Sequence, residues 1–73
     1  MWSLYEDVAL MESFKSKGRH WKEISRELAG RSENAIKNRF TLIMRKYGSG
    51  LDKLPLDKKA LVVLRRISDE YEQ

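Results

Sequence analysis

The chain has 73 residues, enough for one small domain whose single core buries only roughly 60% of the surface that the unfolded chain exposes. It has no cysteine, so neither disulfides nor thiolate metal sites can reinforce that core, and no apolar run approaches the roughly 20 residues that span a bilayer. The formal charge is +4, and its placement is informative: residues 1–30 and 51–73 each balance five basic against five acidic residues, whereas 31–50 sets five basic residues against Glu33 alone. A field concentrated on one stretch favours a polyanionic partner and gives no reason to expect a membrane.

In chain order, Ser3 and Glu6 form an S-x-x-E capping box, in which the serine oxygen takes the N–H three residues on and the glutamate returns to the serine N–H. A first helix therefore begins near Leu4, with Leu10 and Phe14 facing inward, Trp2 beside its start and Gly18 as its stop. Trp21, Ile24, Ser25 and Leu28 carry a short second helix without a strong N-cap, closed by Gly30. Ser32 then caps a third helix, Glu33 lies in its first turn, and Gly48-Ser49-Gly50 ends it. The tight turn around Gly30 is the spacing of a helix-turn-helix.

The third helix separates two faces. At a 3.6-residue period Ile36, Phe40, Ile43 and Tyr47 share one side, and Asn34, Lys37, Asn38, Thr41 and Arg45 share another. Amides and cations in such a stripe can pair with base edges or reach phosphates in a DNA major groove. The expected core is Trp2, Leu10, Phe14, Trp21, Ile24, Leu28, Ile36, Phe40 and Ile43, with Trp2, Trp21 and Phe40 supplying one aromatic per helix. Residues 1–47 make this unit, and 48–55 read as a Gly/Ser/Pro hinge.

A fourth amphipathic helix is expected within 56–73, from about Leu56 to Glu72, started by Pro55 and Asp57 and striped by Leu61, Leu64, Ile67 or Ser68, and Tyr71. Its run Ala60-Leu61-Val62-Val63-Leu64 is broader than one buried face needs, which suits either packing over the core or a homodimer or protein-partner surface. A strand over 60–64 would have no partner strand.

No catalytic constellation is present. His20 is the only histidine, Ser25 has no histidine on its face, and Glu6 and Asp7 are adjacent and so point to different sides of a helix. Nor is there a glycine-rich phosphate loop. The chain is read as a non-enzyme with no cofactor, no metal and no small-molecule substrate.

Trp2, Glu6-Asp7, Gly18, Trp21, Ile24 and, above all, G-R-S-E-N-A-I-K-N-R-F over Gly30–Phe40 resemble a Myb repeat, most like the last repeat of multi-repeat Myb transcription factors. The resemblance spans about Trp2 to Lys46. It implies an all-α, three-helix helix-turn-helix bundle of the Myb/SANT-like, homeodomain-like class, here with an added fourth helix. It also implies a nuclear transcription regulator whose third helix enters the major groove of double-stranded DNA, where a Lys-Asn pair reads an AAC-type core. On this chain those roles fall to Lys37 and Asn38, with Asn34 and Thr41 as further base contacts. Arg19, His20, Lys22, Arg31, Arg39, Arg45 and Lys46 are the expected phosphate contacts, although Arg39 could instead pair with Glu6. Phe40 replaces the family's usual third tryptophan, and Thr41-Leu42 replaces an Asn-Ser pair, so the base preference beyond the core differs. A SANT-like protein-interaction repeat is the alternative; such repeats tend to carry acidic or bulky apolar third helices, unlike Lys37, Asn38, Arg45 and Lys46.

Overall fold

The computed structural model describes residues 1–72 and contains α1 (Leu4–Lys17), α2 (Trp21–Glu27), α3 (Glu33–Tyr47) and α4 (Leu56–Tyr71), with no strand among the described residues. Gln73, the last residue of the 56–73 segment, lies outside them. The capping box opens α1: the Ser3 hydroxyl accepts from the Glu6 N–H at 3.1 Å, and Glu6 Oε1 accepts from the Ser3 N–H at 3.1 Å. His20 precedes α2 without a side-chain cap, which suits a seven-residue helix held by packing. Ser32 caps α3 by accepting from the Ala35 N–H at 3.1 Å. Between α2 and α3 the chain reverses over 28–32, where Gly30 takes a φ of 85° that a side chain would resist.

Leu10, Phe14, Ile24, Leu28, Ile36, Phe40 and Ile43 are buried together as expected. The aromatic centre differs in membership. Phe14, Trp21 and Phe40 pack against one another with ring centroids 4.4 to 5.6 Å apart, while Trp2 and Trp21 are only partly buried. Trp2 lies under two guanidinium groups, with Arg31 Cζ 4.3 Å and Arg39 Cζ 5.7 Å from its ring centroid. The partly buried indole packs against the apolar cluster and offers a π face to the two cations.

The fourth helix is part of this core. It packs mainly along α1 and also against α3, and adds Ala60, Val63, Leu64 and Ile67 to the apolar cluster, with Met11, Met44 and Leu51 completing it. Its buried stripe therefore starts one residue earlier than expected, with the i, i+3, i+4, i+7 spacing of Ala60, Val63, Leu64 and Ile67; Leu61 and Tyr71 are 47% and 48% exposed. The connection expected as a hinge is tied down at several points. Leu51 is buried, and Arg66 Nη1 donates to the Tyr47 and Ser49 carbonyls at 2.8 and 2.9 Å. Tyr47 donates its hydroxyl proton to Glu70 at 2.9 Å. Burial, and then that bond, pushes the hydroxyl above its ordinary range, so it stays protonated near neutral pH.

Two ion pairs join the start of α1 to α3 and to the turn that precedes it. Arg39 Nε and Nη2 donate to the two oxygens of Asp7 at 2.7 and 2.6 Å, and Asp7 is only 3% exposed. Arg31 Nε and Nη2 donate to Glu6 at 2.9 to 3.1 Å, and Nη2 also donates to the Met1 carbonyl at 2.8 Å. The alternative reading of Arg39, an ion pair with Glu6, is corrected to a pair with Asp7, because Glu6 turns back to its own cap and to Arg31. A third pair, Lys17–Glu27 at 2.5 Å, fastens α1 to α2, with Ser13 donating to Glu27 at 2.9 Å.

Two outcomes test this architecture. Ile67→Ala should lower unfolding free energy by about 2–5 kcal/mol in urea titration, as for other buried aliphatic truncations, while Leu61→Ala should stay within about 0.5 kcal/mol; the reverse order would mean that α4 buries its other side. The second concerns acid. The Ser3 N–H, then Arg31, hold the Glu6 carboxyl below its ordinary value of 4.5, and Lys17 with Ser13 does the same for Glu27. Both are lowered in the folded chain, so their stabilisation is present above about pH 4.5 and is lost as pH falls through the lowered values. Thermal melts should show the midpoint falling below that pH, with a shallower fall in Glu6→Gln; an unchanged acid slope in that variant would remove Glu6 from the account.

Candidate nucleic-acid interface

Burying Ile36, Phe40, Ile43 and Met44 fixes which way the rest of α3 points. Asn34, Lys37, Asn38, Thr41, Leu42, Arg45 and Lys46 are all exposed, so the polar stripe read from the sequence forms one open surface with a basic end. Arg39, one position from Asn38, is turned back to Asp7, which resists rotation of α3 about its axis. The direction in which Asn38 faces is therefore set by an apolar contact on one flank and an ion pair on the other.

The polar groups differ in how free they are. The Asn34 and Asn38 amides make no hydrogen bond to the rest of the chain among the described residues, and each offers both donors and an acceptor. Lys37 sits 4.0 Å from Glu33, one turn back, with both side chains about half exposed, which is a weak tie worth a few tenths of a kcal/mol. The Thr41 hydroxyl donates its proton to the Lys37 carbonyl at 3.1 Å and so has none to give to a phosphate, but it keeps an acceptor lone pair and a methyl group. Lys46 lies 5.3 Å from the Tyr47 ring centroid and remains exposed.

Arg31 and Arg39 are tied down more firmly than the other expected phosphate contacts. Both guanidinium groups pair through Nε and Nη2 with Glu6 and Asp7, and pairing with Asp7 raises the already high pKa of Arg39 further. Bidentate carboxylate pairing lowers their energy where they stand, so releasing either to a phosphate would leave a carboxylate unpaired. Of the five basic residues in 31–50, Lys37, Arg45 and Lys46 keep their charge available outward.

Outside α3, Arg19, His20 and Lys22 are exposed around the start of α2. Arg19 shares an open groove of about 320 Å³ with Trp21, Lys37, Phe40, Thr41 and Leu56, so α4 supplies one wall of a depression beside the polar face of α3. Sequence reading missed Leu56 in that position; no spacing rule links it to Lys37, because the two meet only when α4 folds back. A larger groove of about 560 Å³ continues from Arg19 and Leu56 to Phe14, Lys15 and Leu61. No grouping of three or more histidine, cysteine, aspartate or glutamate residues that could hold a metal ion occurs among the described residues.

The sequence model of the Myb-like DNA-binding domain matches residues 1–44. Among curated relatives, a transcription factor of Emericella nidulans, cicD, is 46% identical over 48 residues, covering 64% of this chain and 19% of the relative. Transcription factor MYB124 of Arabidopsis thaliana is 44% identical over 45 residues, 62% of this chain and 10% of the relative. Myb-related protein A of Gallus gallus is 40% identical over 45 residues, 62% of this chain and 6% of the relative. The chain thus spans less than a fifth of the length of these relatives, and no solved structure gives a significant match. With its first 44 residues matched, comprising three capped or packed helices around the Phe14–Trp21–Phe40 centre, the chain belongs to the Myb-like DNA-binding domain family.

Proposed function

We propose that the chain binds double-stranded DNA in a sequence-specific way by laying the outer face of α3 in the major groove, and that it serves as a nuclear transcription regulator. The observation that carries this reading is the exposed run of Asn34, Lys37, Asn38, Thr41, Arg45 and Lys46 on the one element holding the chain's excess positive charge. Asn38 pairs with the N6/N7 edge of an adenine, and Lys37 with a guanine edge or phosphate. Asn34 and Thr41 contact neighbouring bases, Thr41 through its methyl group or its free lone pair. Arg19, His20, Lys22, Arg45 and Lys46 neutralise phosphates, which makes affinity steeply salt-dependent. Support for transcriptional regulation and a nuclear address comes from the relatives, several of which are transcription factors.

A SANT-like protein-binding role gains less from this surface, because its exposed charge is basic and its amides are open. As for α4, its apolar face is consumed by Ala60, Val63, Leu64 and Ile67 inside the chain, which favours a packing role over a homodimer or protein-partner surface.

Selection of duplexes from a random pool at fixed salt should yield a preferred site. Asn38→Ala should then cost on the order of 1–3 kcal/mol on that site and flatten the preference at one adenine, whereas Lys46→Ala should weaken preferred and scrambled duplexes alike and reduce the salt slope by about 1. Equal losses on both duplexes for Asn38→Ala would rule out its role as a base reader. Light scattering should find a monomer at high protein concentration; a concentration-dependent dimer would return the exposed side of α4 to consideration as an interface.

A further inference from the structure

Leu42 is the one large apolar side chain exposed on α3. It is 47% exposed on α3, one turn beyond Asn38 and three residues before Arg45, in the middle of the amide and basic surface. The other large apolar side chains exposed among the described residues are Met1, Tyr5, Leu54, Leu61 and Tyr71, and none of them is on α3. A single leucine among the exposed Asn38, Thr41 and Arg45 side chains is not the contiguous apolar patch that a protein partner needs. Nor does it serve the core, which Ile36, Phe40, Ile43 and Met44 fill from the opposite side of the helix.

Resting on the reading of α3 as a major-groove element, we infer that Leu42 is a specificity-determining contact to the C5-methyl group of a thymine within two base pairs of the adenine paired with Asn38. The thymine methyl is the one apolar feature that the four bases present in the major groove, so it is the feature a leucine can distinguish. Residues four apart on a helix surface lie about 5–6 Å from each other, and successive base pairs rise about 3.4 Å, so a side chain one turn past Asn38 meets the next pair or the one after it. The charge around Leu42 argues for a polyanion over it, because Lys37, Arg45 and Lys46 flank the position and the only acid on α3 is Glu33 at its far end. Thr41 adds a second methyl on the other flank of Asn38, its hydroxyl proton already given to the Lys37 carbonyl. Asn38 is thus bordered on the C-terminal side by two apolar groups, and the face combines one adenine reader with thymine-seeking neighbours.

The test uses the full chain and the duplex recovered by selection. Each thymine within two base pairs of the Asn38-dependent adenine is replaced singly by deoxyuridine, which removes only the methyl, and affinity is measured by fluorescence anisotropy at fixed salt. Wild type should lose about three- to fivefold at one of these positions, the value of burying one methyl group. Leu42→Ala should lose a similar factor on the thymine duplex and bind thymine and uracil duplexes within twofold of each other. Its circular dichroism should match wild type, since the side chain lies outside the core. Wild-type indifference to every uracil, or an equal uracil penalty in Leu42→Ala, would overturn the contact while leaving the Asn38 reading in place. Absence of any preferred duplex would remove both.

Discussion

Much of this small fold depends on where α1 holds α3, and the most constrained link between them is the Arg39–Asp7 pair. A carboxylate 3% exposed has given up most of its hydration, and its two short bonds from one guanidinium replace what water supplied. Such a pair adds little net stability, since desolvation offsets most of the attraction, but breaking it would leave a buried charge without a partner. Its effect is therefore on geometry. Arg39 is adjacent to Asn38, so anchoring one to α1 determines where the other points. Arg31 and Glu6 repeat the device at the start of α3, and Trp2 lies beneath both cations.

That division of labour separates the basic residues of the central stretch into two groups. Arg31 and Arg39 build the frame, and Lys37, Arg45 and Lys46 face outward. Net charge alone cannot make the distinction, because five cations look alike until the acids of α1 reach two of them. The outward field is correspondingly smaller than the count of charges suggests, but it is concentrated on the surface that also carries the free amides.

The fourth helix changes what the repeat is made of. A three-helix unit of this length has little apolar surface to bury, and α4 supplies four more buried side chains along α1 and α3. Arg66 and Tyr47 lock the returning chain at the end of α3, and Leu56 brings the start of α4 beside Lys37 and Thr41. The family match ends at residue 44, and α4, which lies beyond it, packs against α3 from behind and lines a groove beside Lys37 and Thr41.

The sequence alone determined the helices and their ends, because caps, glycines and 3.6-residue periodicity act locally: Ser3 with Glu6, Ser32, and Gly30 stand where the chain starts or turns. It also determined which face of α3 is polar, since one strongly amphipathic helix can bury only its apolar side. Only the tertiary structure decided which acid each arginine meets, that Trp2 stacks under cations outside the aromatic centre, that Ala60 and not Leu61 leads the buried stripe of α4, and that Leu56 lines a groove beside Lys37. These are contacts between residues far apart in the chain. No local rule can rank them, because Glu6 and Asp7 are equally charged neighbours whose partners are chosen by how α3 crosses α1, and Ala60 and Leu61 compete for a face that exists only once α1 and α3 have formed it.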